Sequence, residues 1–125
     1  MRIQIVLISD DHKYRLGILN EISKMKHDVI VREMGWIDIG DLEPQALMRT
    51  EDAQYSTIMI FDFGFVRRAC ETLIERAVAL KRQMVIECLA IRPPADDNLR
   101  RHLINWDVPM FDIWPSSMLA PQGVH

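Results

Sequence analysis

The chain alternates short apolar segments with segments of helical character. Five apolar segments, rich in β-branched residues and of strand length, cover residues 3–8, 28–34, 57–61, 84–89 and 108–113. Four segments with helical spacing or helix-start signals cover residues 14–25, 44–48, 66–77 and 96–106, and the third helix is expected to end near residues 81–82. Strands that alternate with helices predict an α/β protein with a parallel sheet and helices on both of its faces.

The segment 57–61 is the most apolar stretch of its length and predicts the centre of the sheet. It lacks the polar alternation of a half-buried strand, so both of its faces are expected to be covered. The segment 28–34 is weaker and indicates an edge strand. Asp62 follows the central segment and Gly64 permits a tight turn after it. A carboxylate is therefore expected where open parallel sheets carry their functional sites.

The composition does not change the predicted fold, but it argues against some classes of function. The 125 residues fit one domain, and a hydrophobic content of 49% with 26% charged residues is ordinary for a folded protein. The net charge of −3 argues against direct nucleic-acid binding. The apolar segment 3–8 is too short for a signal sequence or a membrane span. Cys70 and Cys88 fit free core cysteines in a reducing compartment, so a cytoplasmic protein is expected.

Three carboxylates follow two of the predicted strands. Asp10 and Asp11 follow the first strand after Ser9, and Asp62 follows the central strand. Because parallel strands end at the same edge of a sheet, the three side chains form a candidate Mg²⁺ site, a metal that prefers oxygen ligands. Ser9 or either residue of the acidic pair can instead cap the helix that follows. Capping and metal binding both remain open for Asp10 and Asp11.

With these residues in place, the chain resembles the receiver domains of bacterial response regulators over residues 3 to about 115. The resemblance rests on Asp10 and Asp11 after the first strand, Asp62 after the central strand and Pro115 after the fifth. It implies a flavodoxin-like, doubly wound, five-stranded parallel sheet. It also implies that the acidic pair and Asp62 hold Mg²⁺, and that Asp62 accepts a phosphoryl group whose charge the metal neutralises.

Two positions depart from the receiver pattern. Receivers close the fourth strand with a serine or threonine, where this chain has Leu89, and they carry a lysine where this chain has Trp114. Leucine has no hydroxyl, and tryptophan has no positive charge to pair with phosphoryl oxygens. We therefore expect an atypical receiver, or pseudo-receiver, that is not an enzyme, requires no cofactor and acts by binding. The alternative is a Mg²⁺-dependent phosphoacceptor of a two-component system, with Asp62 as the phosphorylation site.

The end of the chain suggests where binding would occur. Pro121 and Gly123 predict that the final helix of the fold is short or missing, or lies beyond residue 125. Apolar strand surface left open in this way usually marks an interface. In receivers, the fourth helix and fifth strand form the usual dimerisation and output surface. The predicted partner is a second copy, an effector domain or another protein. The predicted interface residues are Leu99, Leu103, Trp106, Val108, Phe111 and Trp114.

A third hypothesis is a flavodoxin-like binder of a small ligand that uses the loop 35–40, although no phosphate-cradling residues support it. No internal repeat or linker divides the sequence. The prediction is a single domain over residues 1–125, or the N-terminal part of a larger regulator that carries a DNA-binding or ATPase domain.

Overall fold

The computed structural model describes residues 2–24, 28–36, 55–64, 71–80 and 86–112. Five strands and three helices are present in this part of the chain. In order they are β1 (Arg2–Ile8), α1 (His12–Ser23), β2 (Asp28–Met34), β3 (Tyr55–Asp62), α2 (Glu71–Leu80), β4 (Ile86–Ile91), α3 (Asp97–Asn105) and β5 (Met110–Phe111). The predicted α/β class is confirmed, and the arrangement is consistent with a flavodoxin-like fold.

The five strands form one parallel sheet in the order β2-β1-β3-β4-β5. The predicted central strand, β3, does lie in the middle, and β2 lies at one edge as its weaker pattern indicated. The register joins Ile8 of β1 to Phe61 of β3. Ser9 and Asp62 therefore leave neighbouring strands at the same edge of the sheet.

The core consists of two apolar layers, one on each face of the sheet. Alternate side chains of β1, β3 and β4 point to opposite faces because the side-chain period of a strand is two residues. On one face α1 packs through Ile18 and Ile22. On the other, α2 and α3 pack through Ile74, Ala77, Leu99 and Leu103. Each fully buried leucine or isoleucine contributes about 1.5–3 kcal/mol, so the two layers hold the strand ends in a fixed arrangement.

The end of α3 explains why β5 is shorter than predicted. Trp106 caps the helix, and Asp107 takes a left-handed conformation with φ of 56°. The amide of Val108 then donates to the carbonyl of Leu103, and the amide of Asp107 donates to that of Ile104. This Schellman motif tucks Val108 into the core beside Leu103. Val108 thus ends the helix instead of starting the strand, and only Met110 and Phe111 pair with β4.

The other boundaries can be compared only within the described residues. The fourth strand is described over Ile86–Ile91, so its end lies two residues later than predicted. The helix with the apolar stripe over 66–77, which was expected to end near residues 81–82, is described over Glu71–Leu80. The short helix predicted at 44–48, most of the loop 35–40 and the final segment 116–125 lie outside the described residues. Cys88 is buried, as predicted, and forms no disulfide within the described part of the chain. Cys70 lies outside the described residues.

Candidate functional site

Asp62 is a fully buried carboxylate that accepts hydrogen bonds from the residue after β1 and from the turn after β3. Its side chain has no exposed surface. The Ser9 hydroxyl donates to Oδ2 at 2.6 Å, and the amide of Gly64 donates to Oδ1 at 3.0 Å. Ser9 follows β1, which the sheet register places beside β3, and Gly64 lies in the turn directly after β3. Burial of a charge is costly unless the charge is paired, so these two neutral donors alone would leave Asp62 poorly compensated.

Arg92 supplies the missing positive charge. Its Nε donates to Oδ1 of Asp62 at 2.8 Å, and its Nη2 donates to Oδ2. This is the bidentate pairing that a planar guanidinium forms with a carboxylate. Each oxygen of Asp62 therefore accepts two hydrogen bonds, one of them from Arg92. The hydrogen bond with Asp62 raises the pKa of Arg92 above its ordinary value, so Arg92 stays charged.

The same guanidinium also reaches the acidic pair after β1. Arg92 Nη1 donates to Oδ2 of Asp11 at 3.0 Å, and the guanidinium carbon lies 3.7 Å from the ring centroid of Tyr14. Asp11 caps α1, accepting from the amide of Tyr14 at 3.1 Å. That amide hydrogen bond is the main cause, and Arg92 a lesser one, of a pKa for Asp11 below its usual value. The capping interpretation of Asp11 is thus confirmed.

Asp10 has a hydrogen-bond partner different from those of Asp11 and Asp62. Its Oδ1 accepts from the backbone amide of Trp36 at 2.8 Å, after the end of β2. The indole Nε1 of Trp36 donates to the backbone carbonyl of Asp62 at 2.8 Å, and its ring packs against Phe61 and Phe63. Asp10 therefore fixes a buried tryptophan that holds the end of β3 in place.

The backbone around the pocket is adapted to the arginine. Arg92 has φ of 48°, which is unusual for a residue with a side chain, and it stands directly before Pro93. Its amide donates to the carbonyl of Phe111 at 2.8 Å. A Cβ built on Gly64 would lie closer than 3.0 Å to Arg92 Nε, Cζ and Cδ. The guanidinium thus occupies space that only a glycine at position 64 leaves open.

A magnesium ion does not fit this arrangement alongside Arg92. The oxygens of Asp62 and Oδ2 of Asp11 already accept from the guanidinium, and Asp10 is engaged by Trp36. Within the described ranges, no group of three or more His, Cys, Asp or Glu side chains is placed to hold a metal ion. Metal binding by Asp10, Asp11 and Asp62 stays a prediction, with the condition that Arg92 would first have to leave.

Of the two positions that depart from the receiver pattern, Leu89 belongs to the described residues and Trp114 does not. Leu89 lies opposite Ile60, faces the α1 layer and is buried. The residue opposite Asp62 is Ile91, which also lacks a hydroxyl. Trp114 lies outside the described residues, so its place relative to the pocket stays a prediction.

Three of the predicted interface residues are part of the chain's own core. Leu99, Leu103 and Val108 are 5%, 0% and 5% exposed and pack against β3 and β4. Because they fill the α2–α3 layer, their side chains offer no surface to a partner, and the interface prediction needs this correction. Trp106 and Phe111 are half-buried against the two core layers. Whether a partner binds here stays a prediction.

Sequence reasoning missed Arg92, which was not among the predicted site residues. The signal was its position directly after β4 and before Pro93-Pro94. A charged residue at that point lies at the same sheet edge as Asp62, because the strands are parallel and adjacent. The pattern of residues along the chain does not show that β3 and β4 pair, and this pairing is what brings Arg92 to Asp62.

The fold and this pocket define a flavodoxin-like α/β protein with an arginine-paired aspartate at the end of its central strand. No family model, curated protein or solved structure matches the chain. None of the helices in the described part is long and apolar enough to cross a membrane.

Proposed function

We propose that this chain is an atypical receiver-like regulatory domain that acts by binding another protein or a second copy of itself. In this proposal it is cytoplasmic, has no enzymatic activity, needs no cofactor and does not bind nucleic acid directly. The observation that carries the proposal is the bidentate ion pair between Arg92 and Asp62. It occupies the carboxylate that a phosphoacceptor would need free.

Phosphorylation of an aspartate requires one carboxylate oxygen to attack phosphorus while a nearby cation neutralises the phosphoryl group. Both oxygens of Asp62 have two hydrogen-bond donors each, and the cation in contact with them is Arg92. Breaking a buried ion pair costs about 3–5 kcal/mol. A free-energy difference of that size would suppress the reactive form by about two orders of magnitude or more.

Incubation with acetyl phosphate and Mg²⁺, read by intact mass, tests this part of the proposal. We expect no mass gain for the wild-type protein under conditions in which a phosphorylatable receiver is modified. The matched variant is Asp62→Asn, which keeps the shape of the side chain but removes the acceptor. A gain of one phosphoryl group in the wild type, absent from Asp62→Asn, would overturn the proposal.

That result would instead support the second candidate, a Mg²⁺-dependent phosphoacceptor. One observation favours it specifically. Asp11 and Asp62 already share a single cation, because one guanidinium contacts both carboxylates. The two groups would therefore face one point in space if Arg92 moved away. On this alternative, Arg92→Ala should accept the phosphoryl group faster than the wild type.

The binding surface is proposed to lie on α3 and the segment that leads to β5. Ile104 on α3 is 59% exposed, and Trp106 at the end of the helix is half-buried. Sedimentation at micromolar concentration, with Ile104→Lys as the variant, tests self-association. Leu16→Lys on α1 is the matched control, because Leu16 is 52% exposed outside the proposed surface. Equal behaviour of both variants and the wild type as strict monomers would count against a homodimer.

A further inference from the structure

The backbone of Arg92 is held in a conformation that the residue would not adopt by itself. Its φ of 48° lies in the left-handed region, where a residue with a Cβ is strained. The following proline adds to the strain, since the residue before a proline favours extended conformations. Strain of this kind persists only where surrounding contacts enforce it. The contacts that enforce it here can be identified.

Those contacts are made mainly by the side chain. The guanidinium donates to Asp62 through Nε and Nη2 and to Asp11 through Nη1. The amide of Arg92 is fixed separately, by its hydrogen bond to Phe111. If the side-chain contacts were lost, the amide would remain paired while the carbonyl side of the residue could turn. The part of the chain that would then move begins at Pro93.

The segment after Arg92 leads directly into α3. Pro94 is buried, and Asp96 caps the helix by accepting from the amides of Asn98 and Leu99. Only three residues separate Arg92 from this cap. A change of backbone conformation at Arg92 would therefore displace the start of α3 or weaken its packing. Arg92 therefore links the ion pair in the pocket to the position of α3.

We propose that Arg92 is a latch that couples its ion pair with Asp62 to the position of α3. While the ion pair is formed, the guanidinium holds residue 92 in its left-handed conformation and α3 against the sheet. When the ion pair is broken, the side chain is released and residue 92 relaxes toward the extended region. The latch depends on the pocket geometry and not on the proposed function, so phosphorylation of Asp62 would not by itself overturn it.

Amide hydrogen exchange followed by NMR tests the latch in three variants. Asp62→Asn removes the charge, and Arg92→Ala removes the side chain but keeps the strained backbone position. Arg92→Gly also removes the side chain, but glycine adopts φ of 48° without strain. We expect exchange in α3 to rise roughly fivefold to thirtyfold in the first two variants, which corresponds to the release of left-handed strain. In Arg92→Gly it should stay within about twofold of the wild type.

Two internal reporters separate the latch from general destabilisation. The Trp36 indole, bonded to the backbone of Asp62, should shift in all three variants because the pocket changes in each. Amides of β1 should keep their protection, since global unfolding would expose them together with α3. Unchanged α3 exchange in Asp62→Asn, or equal exchange in Arg92→Ala and Arg92→Gly, would overturn the proposal. A parallel rise in β1 and α3 would also overturn it.

Discussion

Replacing Gly64 by alanine tests whether the placement of the Arg92 side chain stabilises the fold. The new Cβ would lie closer than 3.0 Å to three atoms of the Arg92 side chain, so the guanidinium must move away from Asp62. Gly64 does not have a left-handed backbone, and the alanine itself therefore adds no backbone strain. The substitution perturbs Arg92 without changing any charged residue.

The expected loss follows from the contacts that the guanidinium makes. Two hydrogen bonds between charged groups would be broken, each worth about 1.5–3 kcal/mol. Relaxation of the left-handed backbone of Arg92 would return about 1–2 kcal/mol. Asp62 keeps its hydrogen bonds from Ser9 and from the amide of residue 64. The net destabilisation is therefore about 3 kcal/mol, seen as a urea midpoint lower by roughly 1–3 M.

Gly17→Ala is the matched control in the same unfolding assay. A Cβ at position 17 would meet no heavy atom within 4 Å, and the residue lies inside α1. Alanine should therefore stabilise the protein by about 0.5–1 kcal/mol through its lower conformational entropy. In an Arg92→Ala background, Gly64→Ala should cost little further stability. If the costs of the two substitutions simply add, within about 0.5 kcal/mol, the reasoning is refuted.

Two further substitutions probe the donors and caps of the pocket. Ser9→Ala removes the buried hydroxyl that donates to the central carboxylate and should cost about 1–3 kcal/mol in urea unfolding. Ser23→Ala, whose hydroxyl donates to a carbonyl at the exposed end of α1, should change stability by less than about 0.5 kcal/mol; equal costs would contradict the assignment. Asp11→Ala removes the cap of α1 and should cost about 1 kcal/mol at neutral pH. Because the pKa of Asp11 is lower in the folded state than its ordinary value of 3.8, its stabilisation is complete above that value and is lost as the pH falls through the folded pKa. The cost of Asp11→Ala should therefore shrink in urea unfolding below about pH 4, and a cost independent of pH would count against this account.

The architecture was accessible from the sequence because it depends on patterns that repeat along the chain. The unbroken apolar run before Asp62 placed β3 in the centre of the sheet, and the weaker second segment placed β2 at an edge. The start of β5 was not accessible in the same way. Val108 has the composition of a strand residue, but its amide completes the end of α3 and its side chain fills the core. The left-handed position of such a helix-capping motif is usually a glycine, and here it is Asp107. The local sequence therefore gives little indication that the helix ends at this point.

The site was predictable only in its acidic half. Asp62 ends β3 and Asp11 follows β1 by three residues, so parallel pairing predicts that they lie near each other. Their cation could not be predicted from spacing, since Arg92 resembles any surface arginine until the register of β3 and β4 is known. The same limit applies to the interface prediction. Leu103 and Val108 are apolar residues on the expected helix and strand, and only the packing shows that they face inward.

The position of the Arg92 guanidinium explains three features of the structure. Gly64 leaves space for the guanidinium, the ring of Tyr14 packs against its face, and the backbone of Arg92 takes the strained conformation that places it beside Asp62. A divalent ion entering this pocket would compete with a cation that is covalently part of the chain. Both oxygens of Asp62 and Oδ2 of Asp11 already accept hydrogen bonds from that guanidinium, so a divalent ion would bind these carboxylates only after the ion pair is broken. Metal binding in this pocket is therefore coupled to movement of Arg92.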